Sequence, residues 1–278
     1  MVYLSSVKAP LGTIACALLV AAGAAPALAQ TRPLLTEPAV TAPVGTLVFE
    51  TGFDVITNEP SYVTGTPRDS WAGPLLRLVY SPAASVELDL EWVARVGEWG
   101  EEGRNGAQPS DWGDVTLRAK WRIRDGGARR PTIGARFGVT LPETSFEDNQ
   151  SRPLGLGPNT LRTYAEALLT QPLGRVRVHA NAGLFLFDEV YRPHEQRDFL
   201  SYGLAVEWEL TPRLTLLGEV SGRAGNAAPG AEERSEARAG VRLGRGRVRV
   251  DAAVRRGLKR TDGRWGATAG LSWTVASR

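Results

Sequence analysis

Residues 86–96 read VELDLEWVARV, and this stretch decides the fold class. Every second position is apolar, namely Val86, Leu88, Leu90, Trp92, Ala94 and Val96. Most of the positions between them are charged, and only Val93 interrupts the alternation. Such a period of two gives an extended strand one apolar face and one charged face. In a soluble β-sandwich the apolar face would point inward, whereas in an outer-membrane barrel it would meet lipid and the charges would line the interior.

The first residues predict export. Lys8 precedes a short apolar run at 11–25, and Ala27-Leu28-Ala29 forms an A-x-A cleavage site before Gln30. This pattern is typical of a secretory signal peptide at residues 1–29. Its removal would also remove Cys16, the only cysteine, so we expect neither a disulfide nor a thiolate metal site.

Composition excludes two further classes of protein. The 33 basic and 30 acidic residues nearly balance, and no basic run carries interleaved aromatics, so nucleic acid is not an expected partner. No later stretch reaches the roughly 20 apolar residues that a membrane-spanning helix needs. A secreted soluble β-protein and a transmembrane β-barrel remain.

The alternation recurs in twelve segments, and most of them have the ~9–11 residues that a tilted strand needs to cross a bilayer. The segments are 47–55, 74–80, 86–96, 114–123, 132–141, 161–170, 175–187, 200–210, 213–223, 235–243, 247–255 and 265–275. Helical periodicity is absent from them.

The connections between these segments alternate in length. Short ones lie at 81–84, 124–131, 171–174, 211–212 and 244–246, and the others are longer. This sorting is typical of an up-and-down barrel with periplasmic turns and extracellular loops. We therefore predict an all-β, transmembrane antiparallel barrel of about 12 strands at residues 46–278, with both termini periplasmic. The Pro-rich residues 30–45 are expected to be an unstructured periplasmic lead-in.

Aromatic residues on the apolar faces fall near the strand ends, as expected for girdles at the two membrane interfaces. At the periplasmic rim these are Tyr80, Trp121, Trp208 and Trp273. Toward the outer rim they are Trp92, Tyr202 and Trp265.

Two stretches carry resemblances. The last strand, TAGLSWTV at 268–275, resembles the C-terminal signal that the barrel assembly machinery recognises during insertion. Residues 113–223 resemble the outer-membrane transporter family named for the phenol meta-cleavage degradation pathway. The matching stretches are GDVTL (113–117), GVTLP (138–142), GLGPNTLRTYAEALLTQPLG (155–174) and TPRLTLLGEV (211–220). The resemblance implies an outer-membrane barrel with a transport role and no defined catalytic residues.

The histidines give little support for an enzyme. Barrel hydrolases need a histidine close to a serine, and barrel proteases need Asp–His pairs. His179 is predicted to face the lumen with no serine two residues on, and His194 lies in a charged loop. Nothing supplies the oriented base that nucleophilic catalysis requires. We predict no catalytic residues, no metal site and no cofactor, and a barrel hydrolase is the least favoured alternative.

The charged faces are the informative chemistry. The lumen-lining candidates are Glu87, Asp89, Glu91, Arg118, Lys120, Arg136, Arg177, Arg238 and Arg242. Such charges would be costly in an apolar core, but a wet lumen tolerates them. They predict either a ladder of cross-strand ion pairs that fills a narrow barrel or a polar pore whose charges select solutes. The sequence leaves both open.

The first functional hypothesis is a passive channel for small polar or amphiphilic solutes, aromatic ones included, in the outer membrane of a Gram-negative envelope. Outer-membrane lipid and lipopolysaccharide would surround it. The alternative is a non-conducting surface barrel with a structural role or a loop-mediated binding role. Loop 97–112, which includes Trp99 and Trp112, is the candidate recognition surface.

Overall fold

The computed structural model describes residues 32–99, 110–128, 130–145, 156–192 and 195–276. The expected signal peptide and His194 lie outside these residues and stay predictions. The strands are β1 Leu47–Pro60, β2 Pro67–Ala83, β3 Val86–Val93, β4 Val96–Trp99, β5 Ser110–Asp111, β6 Val115–Arg124, β7 Thr132–Leu141, β8 Arg162–Leu173, β9 Val176–Asp188, β10 Gln196–Thr211, β11 Leu214–Gly225, β12 Arg234–Arg245, β13 Val248–Gly257 and β14 Trp265–Ala276.

The strands form one closed antiparallel barrel. β2 pairs with β3 and β4, β3 pairs with β6, and β4 pairs with β5. From β6 to β14 each strand pairs with the next, and β1 closes the sheet by pairing with both β2 and β14. β4 continues the line of β3, and β6 continues that of β5, so the described residues form twelve barrel strands. Pairing of β1 with β14 closes the sheet, which leaves no open edge between the first and the last barrel strand. The predicted all-β, 12-strand antiparallel barrel is confirmed. Within the described ranges, no helix is long and apolar enough to cross a membrane.

The two faces of the sheet differ in polarity. Exposed apolar side chains cover the outside, among them Leu78, Leu88, Leu90, Leu117, Phe137, Leu184, Leu200, Leu204 and Val254. Buried charged side chains occupy the inside, among them Glu50, Arg77, Glu87, Asp89, Lys120, Arg136, Glu166, Glu207 and Glu219. This is the reverse of a soluble barrel, and it suits a protein whose outer surface contacts lipid.

The connections also sort to the two ends of the barrel. Turns at 84–85, 174–175, 212–213 and 246–247, with the connection at 125–131, lie at one end, which we call the short-turn end. β1 begins and β14 finishes there, since Leu47 pairs with Ala276. At the opposite, long-loop end the strands extend beyond their predicted limits. β1 reaches Pro60 and β2 starts at Pro67, so the first long loop shrinks to residues 61–66.

The quoted stretch 86–96 is not one continuous strand, which corrects the prediction. β3 ends at Val93 and β4 begins at Val96, with an irregularity between them in which the Ala94 N–H donates to the Pro74 carbonyl at 3.0 Å. Arg95 is consequently exposed, and its guanidinium lies 5.3 Å from the centre of the Trp112 ring. The single error in the alternation, Val93, thus marks the break, and Arg95 leaves the charged face on which the period of two would place it.

Residues 32–46 do not form an unstructured lead-in, which corrects a second prediction. The Gly45 N–H donates to the Ser81 carbonyl at the short-turn end, and the preceding residues lie inside the barrel. We call residues 32–46 the plug. Its prolines, Pro33, Pro38 and Pro43, lack the N–H that strand pairing needs, so the segment makes contacts with lumen side chains instead.

Candidate functional site

The plug reaches deepest at Arg32. Its guanidinium donates to the Thr268 hydroxyl at 3.0 Å and to the Ala269 carbonyl at 3.1 Å, and it lies 3.6 Å from the Asp251 carboxylate. The Arg32 carbonyl in turn accepts a 2.6 Å hydrogen bond from Arg242. The first residue of the plug is therefore fixed to three strands at once.

Barrel side chains also satisfy the backbone of the plug. The Glu219 carboxylate accepts the N–H groups of Leu35 and Thr36. With its amide oriented to fit the network, Asn181 accepts from the Glu37 N–H at 2.8 Å and donates to the Glu37 carbonyl at 2.9 Å. Buried backbone groups need such partners, and here lumen side chains supply them in place of a strand.

Further along the plug, the Ala39 N–H donates to the Thr170 hydroxyl at 2.8 Å, and the Ala42 N–H donates to Glu87 at 3.0 Å. Apolar contacts assist, because Leu34 packs in a buried cluster with Ala205 and Leu217. The plug is thus held along its length by many separate weak contacts.

Glu37 is the electrostatic centre of the plug. Its carboxylate lies 2.8 Å from Lys120, 3.1 Å from Arg136 and 3.6 Å from Arg77, and its side chain is 1% exposed. Burial opposes ionisation, but these three cations outweigh it and hold the pKa of Glu37 well below the ordinary value. One plug residue therefore ties together β2, β6 and β7.

This depressed pKa predicts a pH dependence. A carboxylate whose folded-state pKa is lowered stabilises the fold above its ordinary value of about 4.3 and loses that contribution as the pH falls through the folded-state pKa. We therefore expect the plug to loosen below about pH 4 and ionic current through reconstituted protein to rise. Current recorded between pH 7 and pH 3 measures this, and Glu37→Gln, which lacks this titrating group, should show a smaller rise than the wild type.

The acidic face of β3 meets the basic face of β6, and the register of the two strands sets the pairs. Glu87 lies 2.6 Å from Lys120, Asp89 lies 2.9 Å from Arg118, and Glu91 lies 2.9 Å from the same guanidinium. The remaining predicted lumen cations are likewise paired with carboxylates, Arg136 with Glu166, Arg177 and Arg242 with Glu207, and Arg238 with Glu236. Each of the nine candidates therefore has an oppositely charged partner, either another candidate or one of the lumen carboxylates Glu166, Glu207 and Glu236.

A cavity of about 510 Å³ remains inside the barrel, on the side of the plug that faces the long-loop end. Plug residues 32–36 line it together with side chains of most barrel strands. Its volume is in the range of small-molecule sites, ~300–1,000 Å³.

Four aromatic side chains, Tyr164, Phe185, Phe187 and Phe199, form a continuous series that we call the aromatic row. Tyr164 and Phe185 line the cavity, and Phe187 and Phe199 continue the row behind them in a buried cluster with Ala231. The rings of Tyr164 and Phe185 stack with their centres 4.5 Å apart, and those of Phe185 and Phe187 stack with their centres 6.2 Å apart. The Phe187 ring contacts the Phe199 ring edge-on, with a distance of 5.3 Å between the centres. Gly138 makes room for the Tyr164 ring, because a Cβ there would lie 2.3 Å from it.

Sequence reasoning missed the aromatic row, although a signal was present. In β9 the residues facing the lumen alternate as His179, Asn181, Gly183, Phe185 and Phe187. The two phenylalanines thus occupy the lumen-facing register of the strand, where polar residues are expected. An apolar side chain at such a position cannot contact lipid. Aromatic residues on the polar register indicate an apolar wall inside a barrel.

Arginines lie over the aromatic row at both ends. Arg118 donates to the Tyr164 hydroxyl at 2.9 Å, and the Arg136 guanidinium lies 5.3 Å from the centre of that ring. Arg223 lies 4.6 Å from the centre of the Phe187 ring and 5.6 Å from that of Phe199. The row therefore presents rings together with cationic groups, which are attracted to aromatic faces.

The aromatic residues predicted for the girdles lie as follows. Those exposed on the barrel are Tyr80, Trp121, Trp208, Trp265 and Trp273. Trp92 is half-buried and stacks on Trp112 at 5.7 Å, and the Tyr202 hydroxyl lies 2.8 Å from that of Ser235. Their role at a membrane interface stays a prediction.

The candidate recognition loop 97–112 is described only at its ends. Residues 100–109 lie outside the described ranges. Trp99 lies 6.3 Å from Trp71, and Trp112 is exposed. A binding role for this loop stays a prediction.

His179 faces the lumen as predicted and makes an ordinary hydrogen bond there. Its Nδ1 lies 2.9 Å from the Thr170 hydroxyl, which also accepts the Ala39 N–H, so the pair supports the plug. Nε2 lies 3.8 Å from Glu207. Within the described residues, no group of His, Cys, Asp and Glu side chains could hold a metal ion. The expectation of a non-enzyme stays a prediction.

Solved structures share this barrel fold. The chain is similar to the COG4313 outer membrane channel from Pseudomonas putida F1, with a TM-score of 0.63 and 18% identity over 85% of this chain and 97% of that one. It is also similar to the KdgM porin, with a TM-score of 0.52 and 6% identity over 82% and 99% of the two chains. No curated protein is significantly similar in sequence. A family model described as "Uncharacterised conserved protein UCP029691" matches residues 131–272, just over half of the chain, and the chain therefore belongs to that family.

Proposed function

We propose that this protein is an outer-membrane channel for small polar or amphiphilic solutes, and that the plug closes its lumen at rest. The observation that carries the proposal is the 510 Å³ cavity, lined by charged and aromatic groups, inside a closed barrel. The apolar outer face supports the membrane location. The fold shared with an outer membrane channel and a porin is consistent with transport, and the resemblance to the phenol meta-cleavage family favours aromatic solutes.

The contacts of the plug suit a reversible closure. Residues 32–44 pair with no strand, and side chains of the barrel supply their partners. Hydrogen bonds and ion pairs of this kind can exchange for water if the segment moves, because a hydrated lumen offers the same donors and acceptors. The barrel keeps its own strand pairing throughout, so opening does not require unfolding.

Weakening the plug should raise conductance. We expect wild-type protein in planar bilayers to carry a small current, Glu37→Gln to carry a several-fold larger one, and a chain lacking residues 32–42 to carry the largest. The reason is that Glu37 joins three lumen cations to the plug. Single-channel recording in potassium chloride measures all three.

Glu233→Gln is the matched control, because Glu233 pairs with Lys259 in an exposed position outside the lumen. It should conduct as the wild type does. If the deletion variant is folded, as judged by heat-modifiable electrophoretic migration, and still gives no current above the lipid background, the channel proposal is wrong.

The ion pairs of the lumen favour one alternative, a non-conducting surface barrel. All nine predicted lumen-lining residues are paired, so the wall could serve rigidity alone. On this alternative, deleting the plug changes stability and leaves conductance at background.

A further inference from the structure

We infer that the lumen cavity binds a small organic anion, with its carboxylate on Arg223 and its flat apolar part against the aromatic row. This inference deepens the proposed function by naming a substrate class, and it rests on that function for the entry of the ligand. The binding step itself needs only the cavity.

Arg223 differs from the other arginines that line the cavity. Each of the other arginines has a carboxylate within 4 Å in the described part of the chain. These six arginines are Arg32, Arg77, Arg118, Arg136, Arg234 and Arg238. Among the described residues Arg223 has no carboxylate at that distance, and its one protein hydrogen bond runs from Nε to the Glu232 carbonyl at 2.8 Å. An unneutralised cation in this enclosed setting creates a site for an anion.

The guanidinium of Arg223 is fixed in orientation, and its two terminal nitrogens remain available to a ligand. The Nε bond to Glu232 and the rings of Phe187 and Phe199 fix the plane of the guanidinium. Its two terminal nitrogens have no protein partner in the described ranges. They form the fork that binds a carboxylate through two parallel hydrogen bonds, a geometry that lysine cannot supply.

The surroundings select against other ligands. Arg162 and Arg234 lie near Arg223, each paired with its own carboxylate, Asp114 and Glu59. A cation would be repelled by Arg223, and a small inorganic anion would leave the adjacent apolar wall in contact with water. A carboxylate attached to an aromatic ring neutralises Arg223 and also covers the apolar wall. Its flat face can stack on Phe185 while its carboxylate contacts the guanidinium.

Benzoate is a suitable probe, because it combines a carboxylate with one aromatic ring. Equilibrium dialysis of radiolabelled benzoate against full-length protein in detergent should show saturable binding. Arg223→Gln should weaken it by about 10–100-fold, since a charge-assisted hydrogen bond contributes about 1.5–3 kcal/mol. Arg223→Lys should recover only part of the affinity, and Phe185→Leu should weaken benzoate while leaving acetate unchanged.

Arg256→Gln is the matched control, because Arg256 also lies over an aromatic ring, Trp265 at 4.7 Å, but outside the cavity. It should bind benzoate as the wild type does. Equal affinity for benzoate in Arg223→Gln and wild type would overturn the inference, as would competition by acetate as strong as that by unlabelled benzoate. Benzoate binding by a protein that carries no current would support this site while contradicting the channel, so the two failures are distinguishable.

Discussion

Replacing Lys120 by methionine should destabilise the barrel by about 3–5 kcal/mol, the cost of removing one partner from a buried ion pair. Lys120 is 2% exposed and lies 2.8 Å from Glu37 and 2.6 Å from Glu87. Methionine preserves the length of the side chain and removes only its charge. Glu37 keeps two arginines, but Glu87 loses its only ion-pair partner in the described ranges. Urea unfolding of the refolded protein in detergent measures the loss.

Two further variants test the cause. Glu87→Gln added to Lys120→Met removes the stranded charge and should restore most of the stability. Arg122→Met, on the same face of β6, breaks an ion pair with the exposed Asp125 and should cost less than about 1 kcal/mol. A Lys120→Met protein as stable as the wild type would show that the ion pairs of this layer contribute nothing net.

Replacing Gly203 by leucine should expel the plug and leave the barrel intact. A Cβ at position 203 would lie 2.5 Å from the Thr36 hydroxyl oxygen, so the larger side chain and the plug cannot occupy the same space. Overpacking of this kind costs about 1–3 kcal/mol, which shifts the balance toward the released plug by about 5–150-fold. Maleimide labelling of Leu34→Cys, with Cys16 replaced by serine as the only other cysteine, should accelerate accordingly.

The neighbouring strand offers the control. Nothing lies within 4 Å of a Cβ at Gly218, so Gly218→Leu should leave the labelling rate unchanged. Conductance should rise in Gly203→Leu alone. Slow labelling in both variants would mean that the plug tolerates the added side chain, and it would remove the steric argument for closure.

The sequence predicted the barrel well because contact with lipid on one side requires an alternation of apolar and polar residues that is visible in the sequence of each strand. In a strand between lipid and water, apolar and polar residues must alternate. The patterns of segments such as 114–123 and 132–141 therefore indicate both where the strand lies and which side chains face the lumen. The same rule predicted which charges face inward. It could not predict the pairing partners, since Asp89 meets Arg118 only through a register that no local pattern encodes.

The ordered structure of the plug could not be predicted from a local sequence pattern. Residues 32–46 have no alternation and contain three prolines, a composition that also describes a disordered linker. Their order arises from partners far along the chain, for example Lys120 for Glu37 and Glu219 for Leu35. The break at Ala94 and Arg95 was visible as one misplaced valine, but its geometry depends on β2.

By itself, the sequence determined the fold class, the strand count and the polarity of each face, because these follow from the period-two contact of every strand with lipid on one side and the lumen on the other. Only the tertiary structure decided what fills that lumen. The plug, the paired charges, the aromatic row and Arg223, which has no carboxylate partner among the described residues, all result from contacts between residues far apart in the chain, and closure of the barrel is what brings them together.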